Sequence, residues 1–167
     1  MTTLTEIAPG AVHAPGWLTP AEQRQLVDAF RAWSTGPVPL RSASVRGHRM
    51  SVQTVCLGWH WQPYRYSRHA HDVNGERALP LPDWLVDLAR RGLDAVGWPE
   101  PATYRPDTAL INPLTGSRKS IVCGGPARLA YHGVTTIIPG TAPEGCGLAE
   151  GRISVTLRAT GLNDVSG

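Results

Sequence analysis

Arg152-Ile153-Ser154-Val155-Thr156-Leu157-Arg158 alternates from end to end. Ile153, Val155 and Leu157 face one way, while Arg152, Ser154, Thr156 and Arg158 face the other. A period of two is the signature of a strand with one face on a core and one on water or a ligand. Two guanidinium groups on that polar face, with Ser154 and Thr156 hydroxyls between them, suit a compact dianion gripped from opposite ends. Arginine forks pair with carboxylates bidentately. A plain solvated face of alternating Arg and Ser/Thr reads the same way, and the strand alone does not separate the two.

Working back from this strand, a Gly/Pro loop covers 139–151, and short strands are expected at 121–123, 129–131 and 135–138. Cys123-Gly124-Gly125-Pro126-Ala127-Arg128-Leu129-Ala130-Tyr131-His132-Gly133 places one histidine beside a glycine, where the backbone can bend toward a ligand. A lone histidine is more often structural than a metal ligand. Thr108-Ala109-Leu110-Ile111-Asn112 reads as a short apolar strand ending in an amide, followed by an irregular basic loop over 113–120.

Two helices come before these strands. Thr19-Pro20-Ala21-Glu22 is a capping box with proline at the first helical position, and Leu26, Val27, Phe30 and Trp33 follow at helical spacing until Gly36-Pro37. The second helix runs from Pro82-Asp83 to Val96, with Leu85, Leu88, Ala89, Gly92 and Val96 on one face. Residues 1–18 read as an extended entry with turns at Pro9-Gly10 and Pro15-Gly16. Residues 49–57 form another strand, leading into Gly58-Trp59-His60-Trp61-Gln62-Pro63-Tyr64-Arg65-Tyr66-Ser67-Arg68. Four rings and two arginines in that ribbon suit bases that stack and phosphates that pair. A hairpin whose rings pack on the core is the competing reading. His69-Ala70-His71-Asp72 runs into a turn at Val73-Asn74-Gly75-Glu76 and reads as a solvated loop rather than a metal site.

Composition sets the outer limits. The chain of 167 residues fits one domain, 1–167, and is 41% hydrophobic. With 18 glycines and 15 prolines it favours turns and strands over a helical bundle. A net charge of +3 permits a polyanionic partner without requiring one, and no basic run is present. Three scattered cysteines, Cys56, Cys123 and Cys146, lack Cys-x-x-Cys spacing, which argues against a thiolate zinc site and fits a reducing cytoplasm. No signal peptide or membrane span is expected.

Taken together, the aromatic ribbon, Pro80-Leu81-Pro82-Asp83-Trp84-Leu85, Leu110-Ile111-Asn112, the glycine–histidine segment 124–133 and the arginine strand resemble the AlkB family. Its members are Fe(II)- and 2-oxoglutarate-dependent dioxygenases that repair alkylated nucleic acids. The resemblance implies an α+β chain built on a double-stranded β-helix, or jelly roll, with supporting N-terminal helices. Residues 1–107 would carry the helices and a nucleotide-recognition lid, and 108–167 a shortened jelly-roll core.

It also implies roles for individual residues. His132 matches the distal histidine of the iron triad, Arg152 the arginine near the iron, and Arg158 the arginine on the distal carboxylate of 2-oxoglutarate. Asn112 matches an amide that helps hold the cosubstrate. Met50, Trp59, Tyr64 and Tyr66 would lie in the lid, over a flipped base of alkylated DNA, or RNA, that is single-stranded or locally opened. The implied reaction is oxidative demethylation.

The departures from the family pattern are as informative. A facial triad needs a His-x-Asp before its distal histidine. Two residues after His13, His48, His60, His69, His71 and His132 stand Pro15, Met50, Gln62, His71, Val73 and Val134, so neither His-x-Asp nor His-x-Glu occurs. Leu114 stands where a cosubstrate-binding tyrosine is usual, and Ser154 where an asparagine is. The stretch between Asn112 and His132 is short for the family, which implies an internal deletion. The expectation for this chain is therefore little or no turnover, with weak nucleic-acid binding as the alternative function.

Overall fold

Nine strands, two α-helices and one short 3-10 helix (Pro101–Thr103) make up the described part of the computed structural model, which covers residues 3–114, 121–123, 140 and 142–163. His132 and the strands expected at 129–131 and 135–138 lie outside the described residues.

Strands β1 (Thr5–Ala8) and β2 (Ala11–His13) form a hairpin, where the sequence suggested only an extended entry. Its turn is the expected Pro9-Gly10, with Gly10 at φ 76°. Strand β8 (Ile121–Cys123) pairs with β2 and completes a three-stranded sheet.

Helix α1 (Pro20–Ser34) begins as the capping box predicts. The Thr19 hydroxyl accepts from the Glu22 amide at 3.3 Å, and the Glu22 carboxylate accepts from the Thr19 amide at 2.8 Å. These bonds satisfy donors that a bare helix end leaves orphaned. Helix α2 (Asp83–Ala95) matches the expected second helix.

The main sheet runs in the order β3-β4-β7-β9, every neighbouring pair antiparallel. Its strands are β3 (Arg41–Val45), β4 (His48–Leu57), β7 (Thr108–Leu114) and β9 (Arg152–Arg158). Strand β3 was not expected from the sequence. Its hairpin to β4 turns at Arg46-Gly47, both at positive φ (51° and 80°), the primed geometry that matches strand twist. Strand β7 continues through Pro113, two residues beyond the expected end. Its register with β4 covers only Ala109, Leu110 and Ile111, so the missing proline N–H interrupts no ladder bond there.

Registers fix the two faces of this sheet. Val55, Leu57, Ala109, Ile111, Ile153, Val155 and Leu157 point one way and pack with Leu26 and Trp33 of α1 and Leu85 of α2. Leu57, Leu85 and Ile111 are fully buried there. This is the core, and the helices support it from one side. The opposite face carries Thr54, Cys56, Leu110, Asn112 and the four polar residues of β9.

A two-stranded hairpin, β5 (His60–Gln62) and β6 (Arg65–Ser67), follows β4. The junction is Gly58, at φ 76°, where an added Cβ would stand 2.1 Å from the Asp107 carbonyl oxygen. Only glycine allows β4 to bend away so close to the chain entering β7. No helix among the described residues is long and apolar enough to cross a membrane.

Candidate functional site

The polar face of the sheet is the floor of the candidate site. Asn112 stands opposite Ser154, and its amide nitrogen donates to the Thr54 hydroxyl at 2.6 Å and the Gln53 carbonyl at 2.8 Å. Thr54 in turn stands opposite Arg41. One polar row, Arg41–Thr54–Asn112–Ser154, therefore crosses all four strands.

Arg152 and Arg158 lie at the two ends of β9 on this same face, as the alternation required. Arg152 is half-buried, and burial lowers its pKa, yet a guanidinium stays charged at any ordinary pH. Six residues of strand separate the two arginines, about 20 Å between Cα atoms. Both reach one compact dianion only by leaning inward. Arg158 is exposed and turned instead toward the aromatic hairpin, donating to the Tyr66 hydroxyl at 2.8 Å.

The hairpin does not pack its rings into the core. Tyr64 sits at its turn with φ 70° and is 81% exposed, leaving its ring open to a stacking partner. Trp59 is half-buried, and the Arg68 guanidinium covers its ring at 3.9 Å from the centroid. Asn163 ties this pair together, its oxygen accepting from the Trp59 indole at 3.0 Å and from Arg68 at 2.5 Å. One face of Trp59 is thus already occupied. Met50 lies on the exposed half of β4, 37% accessible. The structure brings Tyr66 to Arg158 and Asn112 to Ser154, while Tyr64 and Met50 stand open to solvent.

The loop after β6 is exposed at His69 and over residues 71–77, as expected, but Asp72 within it also makes ion-pair contacts. One carboxylate oxygen is 2.6 Å from His60 Nε2, and the other is 3.4 Å from Arg41 Nη2. His60 is buried, and desolvation depresses its pKa more than Asp72 raises it. Neutral His60 with its proton on Nε2 donates to Asp72, leaving Arg41 to donate to Asp72 and to the Trp61 carbonyl. Arg41 and His60 carry no local signal of this role, because their partners Trp61 and Asp72 are 20 and 12 residues away along the chain.

The donors of the polar floor fit a carboxylate ligand: two guanidinium groups, Ser154 and Thr156. They do not supply a set for Fe(II). Both Asp72 oxygens are engaged with Arg41 and His60, and the His69 and His71 rings stand 6.0 Å apart. Among the described residues no three His, Cys, Asp or Glu side chains cluster as metal ligands.

Comparison with known proteins agrees with this arrangement. The family model of the 2OG-Fe(II) oxygenase superfamily matches residues 10–119, ending before His132 and the β9 arginines. The solved structure described as "The structure of OsALKBH1" superimposes with a TM-score of 0.79 at 20% identity, over 93% of this chain and 99% of that one. No curated protein matches in sequence. The α+β fold is thus the AlkB-like jelly roll with supporting helices, and the chain belongs to the 2OG-Fe(II) oxygenase superfamily.

Proposed function

We propose that this chain is an AlkB-type protein directed at alkylated DNA, which it binds as a single strand or at a locally opened base without completing oxidative demethylation. The observation that carries this reading is the contact between Tyr66 of the aromatic hairpin and Arg158 of the polar floor. It brings the aromatic hairpin against the arginine strand, which supports reading the first as a base-stacking element and the second as a carboxylate-binding one. Tyr64 would stack on a base, Arg65 beside it would meet phosphate, and Asn112, Arg152 and Arg158 would hold the 2-oxoglutarate carboxylates. An internal deletion of the His-x-Asp segment accounts for the lack of an Fe(II) ligand set among the described residues. Without that set, the role left to these side chains is binding.

Fluorescence anisotropy of a short single-stranded DNA carrying one methylated base tests the binding. Affinity should fall roughly 2- to 3-fold between 50 and 200 mM salt, as expected for the one phosphate contact of Arg65. A chelator should leave it unchanged. Iron-dependent release of succinate from 2-oxoglutarate by the purified chain would overturn the claim that turnover is lost. Absence of any salt-dependent binding would overturn the nucleic-acid reading.

A further inference from the structure

Two arginines from opposite edges of the main sheet hold the β5–β6 hairpin. Strands β3 and β9 are the outer strands of the order β3-β4-β7-β9. Arg158 of β9 reaches β6 through Tyr66, and Arg41 of β3 reaches β5 through the Trp61 carbonyl. A hairpin tied to both edges spans the polar floor between them.

The two ties differ in kind. Arg158 makes one exposed hydrogen bond, which water replaces at little cost. The Arg41 side chain is only 11% exposed and meets Trp61 and Asp72 with a single nitrogen, Nη2. Asp72 lies beyond the hairpin, so the same contact gathers β3, β5 and the loop after β6. Breaking it leaves a charge buried without its partner.

Four buried polar atoms around this contact have no partner among the described residues: Arg41 Nε and Nη1, His60 Nδ1 and Gln62 Oε1.

We infer that Arg41, with Asp72 and His60, is the positioning group that holds the β5–β6 hairpin over the polar floor and thereby sets nucleic-acid affinity. This rests on the proposed reading of the hairpin as the nucleotide-facing element. Arg41 touches neither the base nor the cosubstrate. It acts through the backbone of β5, leaving Tyr64 at the turn presented outward.

The chemistry of the contact makes a specific demand. Only one nitrogen of the guanidinium is used, so a lysine ammonium, which is a compact cluster of donors, can replace it. An apolar side chain of similar length cannot.

Amide hydrogen exchange of the full chain and its Arg41→Lys, Arg41→Met and Asp72→Asn variants reads the hairpin directly. In Arg41→Met and Asp72→Asn, exchange within residues 60–67 should quicken about tenfold while the amides of β7 keep their rates. Arg41→Lys should stay close to the parent. Single-stranded DNA affinity should follow the same order, weakening about 5- to 10-fold in the first two variants and recovering in Arg41→Lys. Uniform acceleration over hairpin and core alike, or failure of Arg41→Lys to recover, would overturn the assignment and leave Arg41 a purely structural residue. Localised hairpin loosening with no DNA binding by the parent chain would sustain the tie and overturn only the nucleic-acid reading on which its consequence rests.

Discussion

His60 is buried beside Asp72, Arg41 and His71, and desolvation holds its pKa below the ordinary value of 6.5. The unfolded chain therefore takes up that proton before the folded one does. Stability from this group is complete above about pH 6.5 and drains away as pH falls below it. Urea denaturation at pH 7 and pH 5.5 should show a lower midpoint at the acid value, and His60→Gln should flatten that difference. Gly58 is a second residue-scale constraint. Alanine there meets the Asp107 carbonyl oxygen and must adopt positive φ, so Gly58→Ala should cost about 3 kcal/mol in the same assay.

At the scale of the element, α1 is the clearest case of local sequence writing local structure. The Glu22 carboxyl is pulled down to about 2, chiefly by the Thr19 amide and then by Arg91 and the Thr19 hydroxyl. Because the folded pKa lies below the ordinary value of 4.5, this contribution is present above pH 4.5 and is lost on acidification toward pH 2. Thr19→Ala removes the hydroxyl half of the box and should lower stability by about 1 kcal/mol, measured by chemical denaturation at pH 7. The aromatic ribbon is an element whose type was legible in part. Glycine, proline and alternating rings suggested a hairpin or a ribbon, and a hairpin it is. Which rings stay open depended on distant partners, since Asn163 claims Trp59 and Arg158 claims Tyr66.

Across the whole molecule, one apolar sheet face against two helices carries the stability, and the other face presents the polar row. Ile111 lies at the centre of the apolar face and is fully buried. Ile111→Ala should therefore destabilise by about 2–5 kcal/mol through lost burial and the cavity left behind, read as a lowered urea midpoint. Because Asn112 next to it points to the opposite face, Asn112→Ala should disturb the polar row with far less effect on the core.

The sequence by itself determined the capping box, both helices, the alternation of β9 and the absence of His-x-Asp, since each is written in residues a few positions apart. Local hydrogen bonds and side-chain period need no knowledge of the rest of the chain. It also carried the AlkB resemblance, and with it the fold, through short patterns that survive at low identity. Only the tertiary structure decided that Arg41 shares a row with Asn112 and Ser154 and that His60 meets Asp72. It decided, too, that the hairpin is held from both edges of the sheet. Those pairings join residues from separate strands, and a buried charge finds its partner through the register of the sheet, which no single segment encodes.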